Sequence, residues 1–286
     1  MLRVSLKEYV KGGFAKLSNF SVDKVDAPKA SQLKAGQVLV HPLYISVDPH
    51  QRGYMDGNGY KLGEPITNYL VARVSASSSD QLHDGDIVID GSGKWQSAYI
   101  TDAQNVTKVP VQEGISPRDH LGVLGVTSFT AYYGFVIKGH PRKGETILVS
   151  SASGGVGQIV VQLAKLYGLR VIGMAGSDDK VEFVKQLGAD AAFNYKTCGD
   201  LNEAISKAAP QGLDMYFDNV GGPVLDAAIL NLKNNGRVIA CGITSQKNVK
   251  SHDDIYGIKN MFQLISKEAS IVGINVSSHF EQPGAV

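Results

Sequence analysis

The stretch Ile147–Gly168, ILVSSASGGVGQIVVQLAKLYG, decides how the chain is read. An apolar run is joined to a periodic apolar run by Ser151, Ala152, Ser153, Gly154, Gly155 and Gly157, side chains small enough for a backbone to come close to something else. In the periodic run, Val156, Ile159, Val160, Leu163, Ala164 and Tyr167 recur at helical spacing, so one helix face is apolar and is predicted to pack on a sheet. Gly168 stands where a left-handed cap would end that helix. A strand, a glycine turn and a helix N-terminus in succession aim free N–H groups and the positive end of a dipole at one point, which suits a pyrophosphate. The spacing is Ser151-x-x-Gly154-x-x-Gly157, with serine where the common fingerprint has its first glycine. A turn that only needs room for packing has the same composition. Its position between a strong strand and a strong helix favours the binding reading.

The pattern continues outward on the C-terminal side. From about Ile115 onward candidate strands TILVSSA, RVIGMAG, AAFNY, LDMYFDNV, GRVIACG and SIVGINV alternate with helical segments such as VGQIVVQLAKLY and DDKVEFVKQL. That order predicts a parallel sheet with helices on both faces. Before Ile115 the apolar runs are short and separated by turn residues (GQVLVHPLYISVDP, NYLVARVSAS, GDIVIDGSG, QSAYITD), which reads as antiparallel β-structure with no convincing helix. Ser75 to Gln81, SASSSDQ, reads as a polar surface loop. No solenoid-period repeat and no low-complexity tract is present.

Composition narrows the function classes. A formal net charge of +1, from 28 basic and 27 acidic residues, provides no electrostatic footprint for nucleic acid or an anionic membrane. Cys198 and Cys241 are too few and too far apart for a disulfide framework or a cysteine-rich zinc site, which fits a reducing compartment. The start, MLRVSLKEYVKGG, lacks the continuous apolar segment of a secretory signal. The expected location is cytoplasmic. The longest uncharged run, Leu121 to Ile137, is interrupted by glycine, serine and threonine and falls short of the roughly 20 apolar residues of a spanning helix.

The second strand of the alternating half carries the cofactor choice. An NAD site places Asp or Glu about 20 residues beyond the glycines to hold the ribose 2′-OH. Here the strand ends VIGMAGS, with Gly176 and Ser177 at the tip. The missing carboxylate points to NADPH, with Lys180 close by to meet the 2′-phosphate. In the competing reading Ser177 caps the next helix, Asp178 and Asp179 favour its positive end and Lys180 is solvated. The two are compatible, because a helix N-terminus is itself a phosphate site.

The stretches LYISVDPHQRGYM, GVLGVTSFTAYYGF, KGETILVSSASGGVGQ, GSDDKVEFVKQLGADAAFNYKT, FDNVGGPVLDAAI and GRVIACGITSQKN span nearly the whole chain in a specific order. With them the chain resembles a zinc-independent medium-chain dehydrogenase/reductase, within it the NADPH-dependent 2-alkenal, curcumin and leukotriene B4/prostaglandin reductase group. The resemblance implies an α/β protein: a GroES-like β-barrel domain over residues 1–120 and a Rossmann domain, a doubly wound parallel six-stranded sheet, over residues 121–286, with the active site in the cleft between. It places the pyrophosphate turn at Gly154, Gly155, Val156 and Gly157, and the 2′-phosphate contacts at Lys180 and Tyr195. Asn219 and the loop from Cys241 lie toward the rest of the dinucleotide. Ile274 and Asn275 match positions near the nicotinamide. Tyr195 reads equally well as a packed aromatic at a strand end, and Asn219 as turn chemistry before Gly221 and Gly222.

Where zinc-dependent relatives hold a metal with cysteine and histidine, the corresponding stretch is ISVDPHQR, without cysteine. Conjugate reduction suits such a site: a C=C bond joined to a carbonyl accepts hydride at its β-carbon, and the charge collects on an enolate oxygen that a donor can stabilise. The expected partner is therefore a small-molecule enone or alkenal, with no nucleic acid and no membrane. A quinone reductase on the same scaffold and a catalytically weakened dinucleotide-binding protein are the alternatives. The family pattern has Tyr where this chain has His50 and Lys247. Tyr60, in GNGYKLGEP, matches another family tyrosine near the substrate, against the alternative of a surface-loop tyrosine. Lys247 can donate to the enolate oxygen, bind a cofactor phosphate or face solvent. Family members also continue through a helix and strand beyond NVSSHFEQPGAV. The apolar last strand, SIVGINV, is expected at a sheet edge, and the resemblance implies a homodimer in which two such edges pair.

Overall fold

The structure is a computed structural model that describes residues 1–110 and 112–276; the remaining residues of the terminal segment NVSSHFEQPGAV, 277–286, lie outside the described residues. The chain divides between Gly125 and Val126 into two compact units.

The first unit is antiparallel. Strands β1 (Leu2–Leu6) and β2 (Phe20–Lys24) form a two-stranded ladder. Strands β3 (Gln37–Ile45), β4 (Thr67–Ser77), β5 (Ile87–Lys94), β6 (Tyr99–Asp102) and β7 (Val106–Lys108) form a five-stranded sheet in the order β6-β3-β4-β5-β7. Isolated bridges Arg3↔Gln96 and Ser5↔Pro65 tie β1 to the segments beside it. This curled half-barrel is the GroES-like element that the resemblance implies. It closes over Val38, Val40, Leu70, Ala72, Val74 and Val88, which alternate along the strands and point to one face. Among the described residues of this unit the one α-helix is α1 (Gln51–Tyr54). Ser75–Ser77 belong to β4 and not to the polar loop expected there, because each pairs or packs against β3, with Ser77 opposite Val38.

The second unit is doubly wound. Strands β8 (Thr146–Val149), β9 (Arg170–Ala175), β10 (Ala191–Asn194), β11 (Leu213–Asp218), β12 (Leu232–Ala240) and β13 (Ser270–Gly273) are all parallel, in the order β10-β9-β8-β11-β12-β13. The order reverses direction between β8 and β11, the switch point beside which such sheets bind ligands. Helices α3 (Gly155–Leu166), α4 (Asp178–Gln186), α5 (Leu201–Ala208), α6 (Gly222–Leu230) and α7 (Met261–Ser266) follow successive strands, and α2 (Val126–Tyr132) precedes them and runs on as a π-helical segment, Tyr133–Lys138. Two apolar clusters, one on each face of the sheet, account for the near-continuous apolar strands: β8 is buried along its whole length.

Gly168, at φ 76°, ends α3 as expected, its N–H donating to the Lys165 carbonyl while Leu169 N–H donates to that of Ala164. The buried stripe of α3 is Gly157, Val160, Val161 and Ala164. Ile159 and Leu163 are only partly buried. Among the described residues no helix is long and apolar enough to cross a membrane.

The amino ends of the strands are tied by one side chain. Arg237 of β12 donates to both carboxylate oxygens of Glu145 (3.0 and 2.6 Å) and to the carbonyls of Gly139, His140 and Asp214. The pair is mostly shielded from solvent. Removing the guanidinium leaves a carboxylate and several carbonyls to find water. Arg237→Ala is expected to lower the unfolding free energy by about 2–4 kcal/mol in urea titrations; a loss below about 1 kcal/mol would mean that water replaces the guanidinium there.

Candidate active site at the carboxyl ends of the parallel strands

The turn after β8 is built around an approach of backbone to backbone. Ser151 takes a left-handed conformation at φ 49°, the position where a glycine is common. Gly154 is the extended N-cap of α3. A Cβ on Gly157 would fall on the Ser151 carbonyl oxygen and 2.8 Å from the Ala152 Cα, and one on Gly155 would sit 2.9 Å from the Thr127 methyl. Glycine is therefore required at both. Gly155, Val156 and Gly157 are the first residues of α3, so their N–H groups have no intrahelical acceptor and face outward from the helix end. An anion is the natural partner.

At the tip of β9, Gly176 lies against the ring and hydroxyl of Tyr195, which a Cβ there would meet at 3.2 Å. Tyr195 is itself tied to the strand, its N–H donating to the Ala175 carbonyl, and its side chain is 43% exposed. It is therefore neither buried packing nor free of the strand tip. Ser177 is the N-cap residue of α4 by backbone conformation, but its hydroxyl makes no capping bond. It pairs instead with Asp179, whose carboxyl is held below its ordinary range first by that hydroxyl. Asp178 accepts from the Asn194 side chain at 2.9 Å. Lys180, exposed on the first turn of α4, makes no ion pair among the described residues.

A buried polar network, which sequence reading missed, fixes the tips of β8 and β11. The Ser150 hydroxyl accepts the Asn219 N–H and donates to the Tyr216 hydroxyl oxygen, both at 3.0 Å. One oxygen of Asp218 accepts from the Tyr216 hydroxyl (2.7 Å) and from the N–H groups of Val220 (2.9 Å) and Gly221 (2.8 Å). The Asn219 side chain donates to the Ser150 carbonyl at 2.8 Å. The Asn219 side chain thus ties β11 to the tip of β8, while Asp218 caps the turn before Gly221. The only sequence signal was a polar residue at the end of each apolar run.

The loop after β12 begins with Cys241 and Gly242, whose N–H groups donate to the Asp218 carbonyl. Burial, then the negative Asp218, pushes the Cys241 thiol up to about 12, so it is no nucleophile. Thr244–Gln246 form one 3-10 turn that ends at the half-buried Lys247. Ile274 follows β13, its N–H on the Ala240 carbonyl and its side chain packed into the core near Gly134. Asn275 is exposed. These residues, with the turn after β8, share the carboxyl edge of one sheet.

Tyr60 belongs to the first unit. It is a core residue, not a surface-loop one, with Leu6, Val10, Met55 and Ile66 around it. Its hydroxyl donates to the Thr67 carbonyl at 2.7 Å and accepts from Gln51 at 3.0 Å. Burial raises its pKa. His50 is exposed, with its ring edge-on to Tyr54.

A doubly wound sheet with a small-residue turn at its switch point is the framework of a dinucleotide-binding protein. Two family models match: "Zinc-binding dehydrogenase" over residues 155–285 and "N-terminal domain of oxidoreductase" over residues 3–109. The chain is 38% identical to a 2-alkenal reductase (NADP+-dependent) of Nicotiana tabacum, covering 97% of this chain and 82% of the relative. It is 41% identical to prostaglandin reductase 1 of Mus musculus, covering 85% and 73%. The crystal structure of CurA from Vibrio vulnificus in complex with NADPH superposes with a TM-score of 0.88 at 30% identity, over 99% of this chain and 84% of that one. The chain belongs to the medium-chain dehydrogenase/reductase family, in the zinc-independent group of the alkenal and prostaglandin reductases. Among the described residues no three His, Cys, Asp or Glu side chains are grouped to hold a metal ion.

The network at the strand tips has a measurable signature. Burial is the first influence on Asp218 and raises its pKa against the pull of its donors. A carboxyl that binds its proton more tightly folded than unfolded makes stability fall as pH rises from the ordinary carboxylate value through the raised one. Asp218→Asn keeps one acceptor oxygen and removes that dependence. The stability of Asp218→Asn relative to the parent should grow across that interval and level above it, read from urea titrations at a series of pH values. A difference that shrinks with pH would mean that the donors outweigh burial.

Proposed function

We propose that this protein reduces the C=C bond of α,β-unsaturated aldehydes and ketones with NADPH. The observation that carries the cofactor is the tip of β9, where Gly176 occupies the place of a ribose-binding carboxylate beside Tyr195 and ahead of the exposed Lys180. The substrate class rests on relatives, among them the 2-alkenal reductase and a (+)-pulegone reductase of Mentha piperita at 36% identity over 86% of this chain and 73% of the relative. In this reading the N–H groups of Gly155, Val156 and Gly157, beyond the Gly154 cap, hold the pyrophosphate. Ser177, Lys180 and Tyr195 hold the 2′-phosphate, and the backbone at Asn219, Cys241, Ile274 and Asn275 borders the rest of the cofactor.

When bound, NADPH supplies the hydride that adds to the β-carbon of the double bond. The chain's contribution is at the carbonyl end, where negative charge collects on oxygen while the α-carbon takes a proton. Of the two candidates read from sequence, we favour Lys247 as the donor to that oxygen. The Tyr60 proton is already engaged by the Thr67 carbonyl, so Tyr60 is assigned to holding its loop. Two cysteines without a disulfide fit a cytoplasmic setting.

Purified protein should oxidise NADPH with an alkenal or an aryl enone and leave a saturated ketone untouched. Turnover with a quinone alone would select the quinone-reductase reading, and binding without turnover the weakened one. Lys180→Ala should weaken NADPH binding about ten- to a hundredfold, the worth of a charge-assisted hydrogen bond, with little effect on NADH. Equal losses for both would return Lys180 to the solvated helix face.

We further propose a homodimer through β13, which ends the parallel sheet with one side unpaired among the described residues. Nearby α7 carries Phe262 and Ile265, exposed at 70% and 71%. Sedimentation should give twice the chain mass at micromolar concentration; the mass of one chain throughout would overturn this.

A further inference from the structure

The loop that carries Lys247 is restrained from two directions. On the strand side, the Thr244 hydroxyl donates to the Asn219 carbonyl (2.9 Å) and the Ser245 hydroxyl to that of Val220 (2.7 Å). Gly221 and Gly222 lie directly beneath: a Cβ on Gly222 would meet the Ser245 hydroxyl at 2.9 Å, and one on Gly221 the Gln246 amide at 3.4 Å. On the far side, the Gln246 side-chain carbonyl accepts the Tyr256 N–H at 2.8 Å. Tyr256 in turn donates its hydroxyl to one carboxylate oxygen of Asp226, at 3.0 Å.

Asp226 is 5% exposed on α6, a helix of almost wholly apolar residues. Its other carboxylate oxygen accepts the N–H groups of Lys259 (3.0 Å) and Asn260 (2.9 Å), and its own carbonyl accepts from the Asn260 side chain at 3.3 Å. The Lys259 ammonium sits over the Tyr256 ring, 4.5 Å from its centroid. A carboxylate in an otherwise apolar helix costs stability unless its acceptors are satisfied. Every donor here comes from one segment, Tyr256 to Asn260. That segment has no strand or long helix of its own to hold it. Asp226 therefore ties an irregular segment to α6, and the tied segment holds Gln246, the neighbour of Lys247.

We propose that Asp226 and Tyr256 are positioning residues for the site: through Gln246 they fix the Thr244–Lys247 turn over Gly221 and Gly222, so that Lys247 is held at the carboxyl edge of the sheet. The proposal rests on the reading that this turn faces the bound cofactor and substrate. Neither residue needs to touch a ligand. Their effect passes through the loop and should vanish once Lys247 is replaced.

The test is a double-mutant cycle on enone turnover and NADPH binding. Tyr256→Phe removes one O–H, leaves the backbone donor to Gln246 in place and preserves the ring under Lys259. It should lower kcat/KM about three- to tenfold, a hydrogen bond's worth. Lys247→Ala should lower turnover by itself, and adding Tyr256→Phe to it should change kcat/KM by less than about twofold. Asp226→Ala should lose at least as much as Tyr256→Phe, and Asp226→Asn should recover most of the loss. Amide exchange over residues 244–249 should quicken in Tyr256→Phe while β8 and β11 stay protected, a result independent of activity. Equal losses in both backgrounds, or no change in exchange and turnover, would overturn the positioning role. If Lys247→Ala alone alters neither NADPH binding nor turnover, the reading of the turn is wrong and the positioning role falls with it.

Discussion

The close approach of α3 to the end of β8 is the constraint on which the candidate site depends. With Gly157 against the Ser151 carbonyl and the Ala152 Cα, the first N–H groups of the helix come to the switch point of the sheet. A side chain of any size there would move the helix outward and turn its free donors away from the place where the strand order reverses. The strained Ser151 is tolerated because its neighbours are held on both sides: Ala152 N–H by the Met174 carbonyl and Ser150 by β11. The positive helix end is thus a consequence of packing before it is a feature of binding.

Around that turn the strand tips carry polar groups that point to one another. Ser150, Tyr216, Asp218 and Asn219 satisfy one another and the N–H groups of the following turn. Burial keeps the Tyr216 phenol protonated far above neutrality, so it acts as a fixed donor. Such a network rigidifies the floor of the site only if every member is paired. The loop after β12 is then fastened to this floor by Cys241 and Gly242, and from the other side by Asp226.

Features made within one stretch were readable from sequence; features that depend on distant partners were not. The glycine turn, the Gly168 cap and the alternation of strands and helices are local, and each appears where its residues predict it. Leu121–Ile137 shows the opposite case. It contains α2 and the π-helical segment, yet glycine, serine and threonine interrupt any apolar stripe, and its helix is dictated by packing of Gly134 on Phe217 and Ile274. Strands β1, β2 and β7 escaped notice because short ladders are defined by their partners. Of the site residues, Tyr195 and Lys180 could be placed from strand and helix ends. The burial of Tyr60 could not, since its acceptor Thr67 and donor Gln51 lie on separate elements. The role of Asp226 depends on a segment 30 residues further along the chain.

The Arg237 cluster lies at the amino ends of the parallel strands, opposite the edge that carries the glycine turn and the loops. Anchoring and recognition are therefore carried by different ends of the same strands. Sequence change at the loop end can accumulate without loosening the tie at the other, which gives evolution room to retune substrate preference on an unchanged frame. Lys247, where the resemblance has a tyrosine, stands at that loop end, the kind of drift that such a separation permits.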